Sequence, residues 1–225
     1  MLELVALDVA GTTIDEREVV YAVLRECVEA RGAVITDEQF SQWMGTEKRA
    51  AITALLALGG VEANEALIDE AYAWFLAELK RRYAENPPVV FPGVAEAIAE
   101  LRSRGIKVAL TTGFGTEIAE PLLAGVGWSV PESLDAVVCA SEAAAGRPAP
   151  YLIHRAMELT GATSVHRVLA AGDTIADLLA AQNAGVVGVG VLTGATGLDV
   201  LSQMPHQHIV DSVADLPALP ECQDS

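Results

Sequence analysis

The chain opens with an apolar run, Leu2 to Leu7, and no other segment reads as a buried strand until Ile106. One strand alone has no stable existence. Its partners must come from beyond residue 105, and whatever lies between must leave the sheet and return to it. After Gly93 to Arg104, which reads as a helix, the signals alternate. Ile106 to Leu110, Ala136 to Cys139, Arg167 to Ala171 and Val186 to Val191 read as strands. Helices are predicted over Thr116 to Ala124, Pro148 to Leu159 and Ile175 to Asn183, the last closed by Gly185, and Leu198 to Gln203 and His208 to Val210 add a short helix and strand. This rhythm predicts an α/β fold, a Rossmann-like parallel sheet wrapped by helices.

The intervening block has a different character. Glu16 to Arg31 carries helical apolar spacing (Val20, Val23, Leu24, Cys27, Val28) and stops at Gly32; Thr36 to Met44, Glu47 to Leu58 and Asn64 to Ala84 read the same way. No strand signal appears there, and Asn86-Pro87-Pro88 marks the return. The expected organisation is therefore an α/β core formed by residues 1–14 and 89–225, with residues 15–88 inserted as an all-α cap over the C-terminal edge of the sheet. Phe75, Leu79 and Trp74 are expected in the core of the cap, and the tail after about Pro217 is expected to fray.

Composition narrows the class. With 52% hydrophobic and 20% charged residues the chain is globular rather than disordered. A net charge of −17 argues against nucleic acid as a partner, since phosphate-backbone binding needs a basic face, and no apolar stretch is long enough to span a membrane. Cys27, Cys139 and Cys222 are odd in number and far apart, which argues against disulfides and a Cys-based metal site. A soluble cytoplasmic protein is expected, there being no basic start or cleavage site of a signal peptide. His206 and His208 lack metal-ligand neighbours and are expected on the surface, and Gly188-Val189-Gly190 lacks the spacing of a dinucleotide fingerprint.

Four strand ends carry polar groups. Asp8 ends the first strand in Asp8-Val9-Ala10-Gly11-Thr12-Thr13; Thr111-Thr112-Gly113 ends another; Arg147 lies in Gly146-Arg147-Pro148; and Gly172-Asp173-Thr174-Ile175-Ala176-Asp177 follows a third. In an open parallel sheet such ends converge on one crevice. Asp8 and Asp173 are then candidate ligands of Mg²⁺, which prefers oxygen. Asp8 is also a candidate nucleophile toward phosphorus. The Thr112 hydroxyl, nearby backbone N–H groups such as that of Gly113, and the Arg147 guanidinium would bind phosphoryl oxygens. Asp177 would hold Arg147 or a metal-bound water. Each has a plainer reading: Asp8, Thr12 and Thr13 as caps, Thr112 and Arg147 as turn residues, Asp177 as an exposed helix residue.

These motifs, in this order, resemble the haloacid dehalogenase superfamily of phosphohydrolases, and in particular its phosphonatase branch. The resemblance implies that Asp8 forms an aspartyl-phosphate and that Mg²⁺ is held by Asp8, the Ala10 backbone carbonyl and Asp173, with Asp177 and Thr12 supporting them. Most of the superfamily has a second Asp at position 10 and Lys at 147; Ala10 and Arg147 are shared by the phosphonatase branch.

Ala10 removes the acid that would protonate a leaving alkoxide, help typically worth about 10² to 10⁴ in rate. A phosphonate aldehyde avoids that need if a lysine first forms an imine with it, because the imine accepts the electron pair of the C–P bond. Met44-Gly45-Thr46-Glu47-Lys48 resembles the substrate-binding segment that carries the Schiff-base lysine of phosphonoacetaldehyde hydrolases, with Lys48 at the lysine's position. Trp43 and Met44 flank it. Ala51 and Phe114 stand where those relatives have His and Tyr. Other readings stay open: a phosphatase of small phosphate monoesters with Lys48 anchoring a distal anion, a non-catalytic protein that binds a phosphorylated metabolite, or a surface lysine paired with Glu47. By resemblance, a homodimer through the cap is also expected.

Overall fold

The computed structural model describes residues 2–223. Strand β1 (Leu4–Leu7) is buried along its whole length, so its sequence is continuously apolar rather than alternating. The chain leaves the sheet at Asp8, and β2 (Ile14–Asp15) begins the excursion into four helices: α1 (Val19–Glu29), α2 (Asp37–Ser41), α3 (Lys48–Leu58) and α4 (Glu65–Glu85). It returns through β3 (Val89–Val90), which pairs antiparallel with β2. The departing and returning strands thus form a two-stranded ribbon at the root of the helical block. Two-residue strands are too short for any periodicity, and the sequence showed none there.

From the ribbon the chain runs through α5 (Val94–Ser103), β4 (Lys107–Thr112), α6 (Thr116–Gly125), β5 (Ala136–Cys139), α7 (Tyr151–Thr160), β6 (Val168–Gly172), α8 (Ile175–Ala184), β7 (Val187–Val191), α9 (Leu198–Leu201) and β8 (His208–Val210). The six strands order as β5-β4-β1-β6-β7-β8, and every neighbouring pair is parallel. Alternate residues of β1 serve opposite layers. Leu4 and Ala6 pack with Leu152 and Ala156 of α7 and Ala180 of α8. Val5 and Leu7 join a cluster containing Ile98 of α5, Ile118 of α6 and the interior of the helical block, including Leu24, Ile52 and Phe75. Among the described residues, no helix is long and apolar enough to cross a membrane.

Several boundaries differ from expectation for local reasons. Arg17 and Glu18 are left-handed, at φ 57° and 56°, so α1 starts at Val19 rather than Glu16. Helix α2 ends at Ser41 because the chain must turn toward the sheet; Gly45 has φ +74°, and the Thr46 hydroxyl donates to the Trp43 carbonyl (2.7 Å). Helix α7 starts at Tyr151, since Ala149 precedes a proline and is disfavoured in the helical region. Phe75 and Leu79 are buried, whereas Trp74 is 37% exposed under the Arg31 guanidinium, 5.7 Å from its ring centre.

The tail does not fray at Pro217. Short 3₁₀ turns at Val213–Ala218 and Pro220–Cys222 bury Leu216, Pro217 and Cys222. The Arg104 Nη1 holds them down, donating to the carbonyls of Pro217 (2.7 Å) and Cys222 (2.9 Å). Arg104→Ala is expected to destabilise the protein by about 1–3 kcal/mol, because those carbonyls lose their donor. A lower urea midpoint and faster reaction of Cys222 with a thiol reagent would register it.

Candidate active site

Register brings the strand ends together. Leu7 pairs with Leu110 on one side and Ala171 on the other. Asp8 therefore sits level with Thr111 and Gly172, about one 4.8 Å strand spacing from each, and its N–H continues the ladder to the Ala171 carbonyl (2.9 Å). One residue further on stand Thr112 and Asp173.

Arg147 organises the carboxylates. Its Nη2 contacts Asp8 Oδ1 at 2.6 Å and donates to the Thr111 carbonyl at 2.7 Å, while Nη1 contacts Asp177 Oδ1 at 2.7 Å. Asp177 Oδ2 is engaged by the Thr174 N–H (3.0 Å) and hydroxyl (2.5 Å) in a capping box at the start of α8. Both Asp177 oxygens are thus committed, which suits it to holding the guanidinium rather than a metal. Burial opposes the charge of Arg147, but Asp177 and Asp8 more than offset this and its pKa rises. Burial raises Asp8 to about 6, Arg147 pulling it down and Asp177 pushing it up.

Lys48 is buried, at 3% exposure, rather than a surface residue. Glu47 is not its partner; that carboxylate caps α3, accepting from the N–H groups of Arg49 (2.8 Å) and Ala50 (2.6 Å). The Lys48 amine donates to the Thr46 carbonyl (2.7 Å) and lies 5.8 and 5.5 Å from the ring centres of Tyr21 and Phe114. Burial lowers its pKa from 10.5 to about 8. Lys48, Asp8, Thr112, Gly113, Arg147, Gly45 and Ala10 all line one cavity of about 10 Å³. Met44 stays outside it, packed half-buried against the main cluster.

A space of that size holds about one water at most, so Gly45–Lys48 must withdraw before a phosphorylated compound enters. The contact closing it is backbone on backbone: a Cβ on Gly113 would come within 2.6 Å of the Thr46 carbonyl oxygen and 2.9 Å of that of Gly45. Gly113→Ala is expected to hold this segment off the sheet and lower kcat/KM about 10²-fold through misplacement. Steady-state kinetics would measure the loss, and faster proteolysis near Arg17 and Pro87 would report the looser closure.

Asp173 faces a different space. A cavity of about 210 Å³ beside it is lined by Gly11, Asp15, Glu16, Tyr21, Thr193 and Gly194, among others. Asp173 Oδ1 accepts from the Thr12 hydroxyl (2.8 Å), whereas Oδ2 is buried with no partner among the described residues. A Cβ on Gly194 would collide with this carboxylate, and one on Gly11 would approach Oδ2 to 2.7 Å. The Thr193 hydroxyl, donating to the Gly11 carbonyl (2.7 Å), ties the two loops together. Ligand atoms of Asp8, Asp173 and Asp177 lie within 4.8 Å of one another, and burial together with Asp8 and Asp177 pushes Asp173 well above the usual carboxylate range. An orphaned oxygen in a side-chain-free cradle, among buried anions facing one guanidinium, fits an oxygen-preferring divalent cation.

Sequence reasoning missed Tyr21 and Glu16. Both follow the Asp8 turn, but the apolar stripe of α1 carried no sign that they face the site. His206 is exposed, and the partly buried His208 meets Glu221 at 3.0 Å, away from the strand ends that gather Asp8.

A parallel sheet with a carboxylate at the end of its central strand, and a guanidinium and further carboxylates beside it, defines a hydrolase site of one known class. The chain belongs to the haloacid dehalogenase-like hydrolases, matching that family over residues 2–185. Among its relatives, phosphonoacetaldehyde hydrolase of Parabacteroides distasonis is 35% identical over 211 residues, covering 87% of this chain and 78% of the relative. A phosphoglycolate phosphatase of Agrobacterium fabrum is 31% identical, covering 96% and 91%. A phosphonoacetaldehyde hydrolase-like protein from Oleispira antarctica superimposes with a TM-score of 0.77 at 25% identity, covering 96% and 90%. A hydrolase from Pseudomonas syringae shares the fold at a TM-score of 0.86 and 20% identity, with full coverage of both chains.

Proposed function

We propose that this hydrolase cleaves the C–P bond of phosphonoacetaldehyde or a closely related small phosphonate, with Asp8 as nucleophile, Lys48 as Schiff-base amine and residues 15–88 acting as a cap on the core. One observation carries the reading. A buried amine with a pKa near 8 shares a cavity of about 10 Å³ with Asp8, and residue 10, which lines the same cavity, is an alanine with no carboxyl group to act as general acid.

In this scheme Lys48 condenses with the aldehyde. Asp8 attacks phosphorus, and the C–P electron pair moves into the protonated imine to leave an enamine, so no alkoxide needs protonation. Arg147 exchanges its contact with Asp8 for a phosphoryl oxygen, while Asp177 keeps the guanidinium in place through Nη1. Thr112 and the Gly113 N–H bind the remaining oxygens as charge redistributes. When bound, Mg²⁺ held by Asp8, Asp173 and the Ala10 carbonyl would screen the repulsion between Asp8 and the anionic substrate. Water then releases phosphate from Asp8, and the enamine on Lys48 hydrolyses to the aldehyde.

Borohydride added during turnover of phosphonoacetaldehyde is expected to leave an N-ethyl group on Lys48, located by peptide mass spectrometry. Absence of that adduct, with borohydride-insensitive turnover of phosphoglycolate or another phosphate ester, would replace the reading with a monoester phosphatase. The resemblance to the Agrobacterium fabrum enzyme supports that alternative.

A further inference from the structure

The two spaces beside the carboxylates differ in their access to solvent. Every residue lining the Lys48 chamber is buried except Tyr21, which is half-buried. The 210 Å³ cavity instead runs from Arg17, Glu18 and Ala195, all exposed, to Asp173, which is fully buried. Gly11 and Gly194 line it too, and both pass so close to Asp173 that a Cβ on either would meet Oδ2. The oxygen that has no partner among the described residues therefore looks into this cavity, and Asp173 does not line the chamber.

An uncommon backbone builds the mouth. Arg17 and Glu18 are consecutive left-handed residues, at φ 57° and 56°, without the freedom of glycine. Such a turn persists only where its surroundings hold it, and here they do. The Arg17 N–H donates to Asp15 Oδ1 (2.8 Å), and Glu16 Oε2 accepts from the Val20 N–H (2.7 Å) and the Tyr83 hydroxyl (3.1 Å). Asp15 is also paired with Val89 in the ribbon. The mouth thus sits at the root of the helical block, where a hinged movement displaces atoms least.

Four acidic residues, Asp15, Glu16, Glu18 and Asp173, line the cavity against one guanidinium, that of Arg17. A passage with that balance draws in cations and repels phosphorylated anions. Its 210 Å³ holds several waters, which suits Mg²⁺, an ion that sheds its hydration reluctantly. We infer that the Arg17–Glu18 turn and Ala195 frame a port through which a hydrated divalent cation reaches and leaves Asp173 while the helical block stays closed. The anionic substrate takes the other door, past Gly45 and Lys48. Cation and substrate then bind in either order, and a bound phosphate does not trap the metal. This rests on the Mg²⁺ assignment above and not on which bond the enzyme cleaves.

The test uses Mn²⁺ as a visible stand-in for Mg²⁺, released from the protein into excess fluorescent chelator in a stopped flow. Tyr72 of α4 donates a hydrogen bond to Glu117 of α6, so Tyr72→Cys with Glu117→Cys lets a bis-maleimide join the helical block to the core. The three native cysteines are buried and are spared. Crosslinked protein is expected to bar inorganic phosphate yet release Mn²⁺ at the uncrosslinked rate. Ala195→Trp fills the mouth and is expected to slow Mn²⁺ uptake and release alike, by about 10-fold or more, with Kd unchanged. A merely structural role would shift Kd instead. Glu18→Lys serves if that variant fails to fold, and should slow uptake about 10-fold at low salt and little at high salt. Arrest of Mn²⁺ release by the crosslink would overturn the inference, as would wild-type rates in Ala195→Trp. If the wild-type protein binds no Mn²⁺, or Asp173→Asn binds it equally well, the metal assignment falls and the port with it.

Discussion

With Asp8 as the proposed nucleophile, Asp8→Asn is expected to lower turnover by about 10⁴-fold or more, the scale seen when a nucleophile is removed, with the fold intact. Asn has the same shape, its oxygen can still accept from Arg147 Nη2, and Nη1 remains on Asp177. In metal-free buffer containing a chelator the variant should be the more stable protein. The Asp8 pKa is about 6 in the folded chain against 3.8 in the reference state. Between those values the folded protein binds the extra proton, so stability from this group is present below pH 3.8 and lost as pH rises through 6. Above pH 6 the loss is about 1–3 kcal/mol, and the substitution removes it. Unfolding midpoints with chelator at pH 4 and pH 8 should converge at the lower pH and separate at the higher. Phosphate release assays measure the activity.

On the proposed scheme, Lys48→Met is expected to lower C–P cleavage by about 10³-fold or more, since no imine could form, while raising stability at pH 7 by about 1–3 kcal/mol. Here the folded pKa is depressed, from 10.5 to about 8. The unfolded chain therefore binds more protons between pH 8 and 10.5, and wild-type stability rises across that window. Below it the buried ammonium is a liability that methionine lacks, partly offset by the lost bond to the Thr46 carbonyl. For the wild-type enzyme, kcat/KM should climb as Lys48 deprotonates and level off above about pH 8. A phosphate-ester activity surviving in Lys48→Met with normal kcat would contradict a covalent role for the amine.

Much of this was legible in the residues. Strands β1, β4, β6 and β7 lie between helices on both faces, so burial demands continuous apolar runs that stand out from the helical spacing of α1, α3 and α4. Asp8, Thr112 and Asp173 could be placed because each follows such a run, and parallel strands deliver their ends to one edge. Glu16 and Tyr21 were hidden. Tyr21 lies off the stripe formed by Val20, Val23, Leu24, Cys27 and Val28, and nothing local says that its face looks toward the sheet. Glu16 reads as the start of an amphipathic helix, and only its remote bond to Tyr83 and the fold of the ribbon bury it. The tail misled because Arg104, which pins it, lies more than a hundred positions away in the chain.

By itself the sequence determined the parallel sheet, the helical insertion and the identity of the groups at the strand ends, since these follow from local periodicity and from chain direction. Tertiary structure alone decided how those groups are charged and paired. Arg147 is shared between Asp8 and Asp177, Asp173 Oδ2 is left open, and Lys48 is sealed under Gly45 and Gly113. The reason is physical: desolvation and charge pairing depend on distances between residues far apart in the chain, which no local pattern encodes.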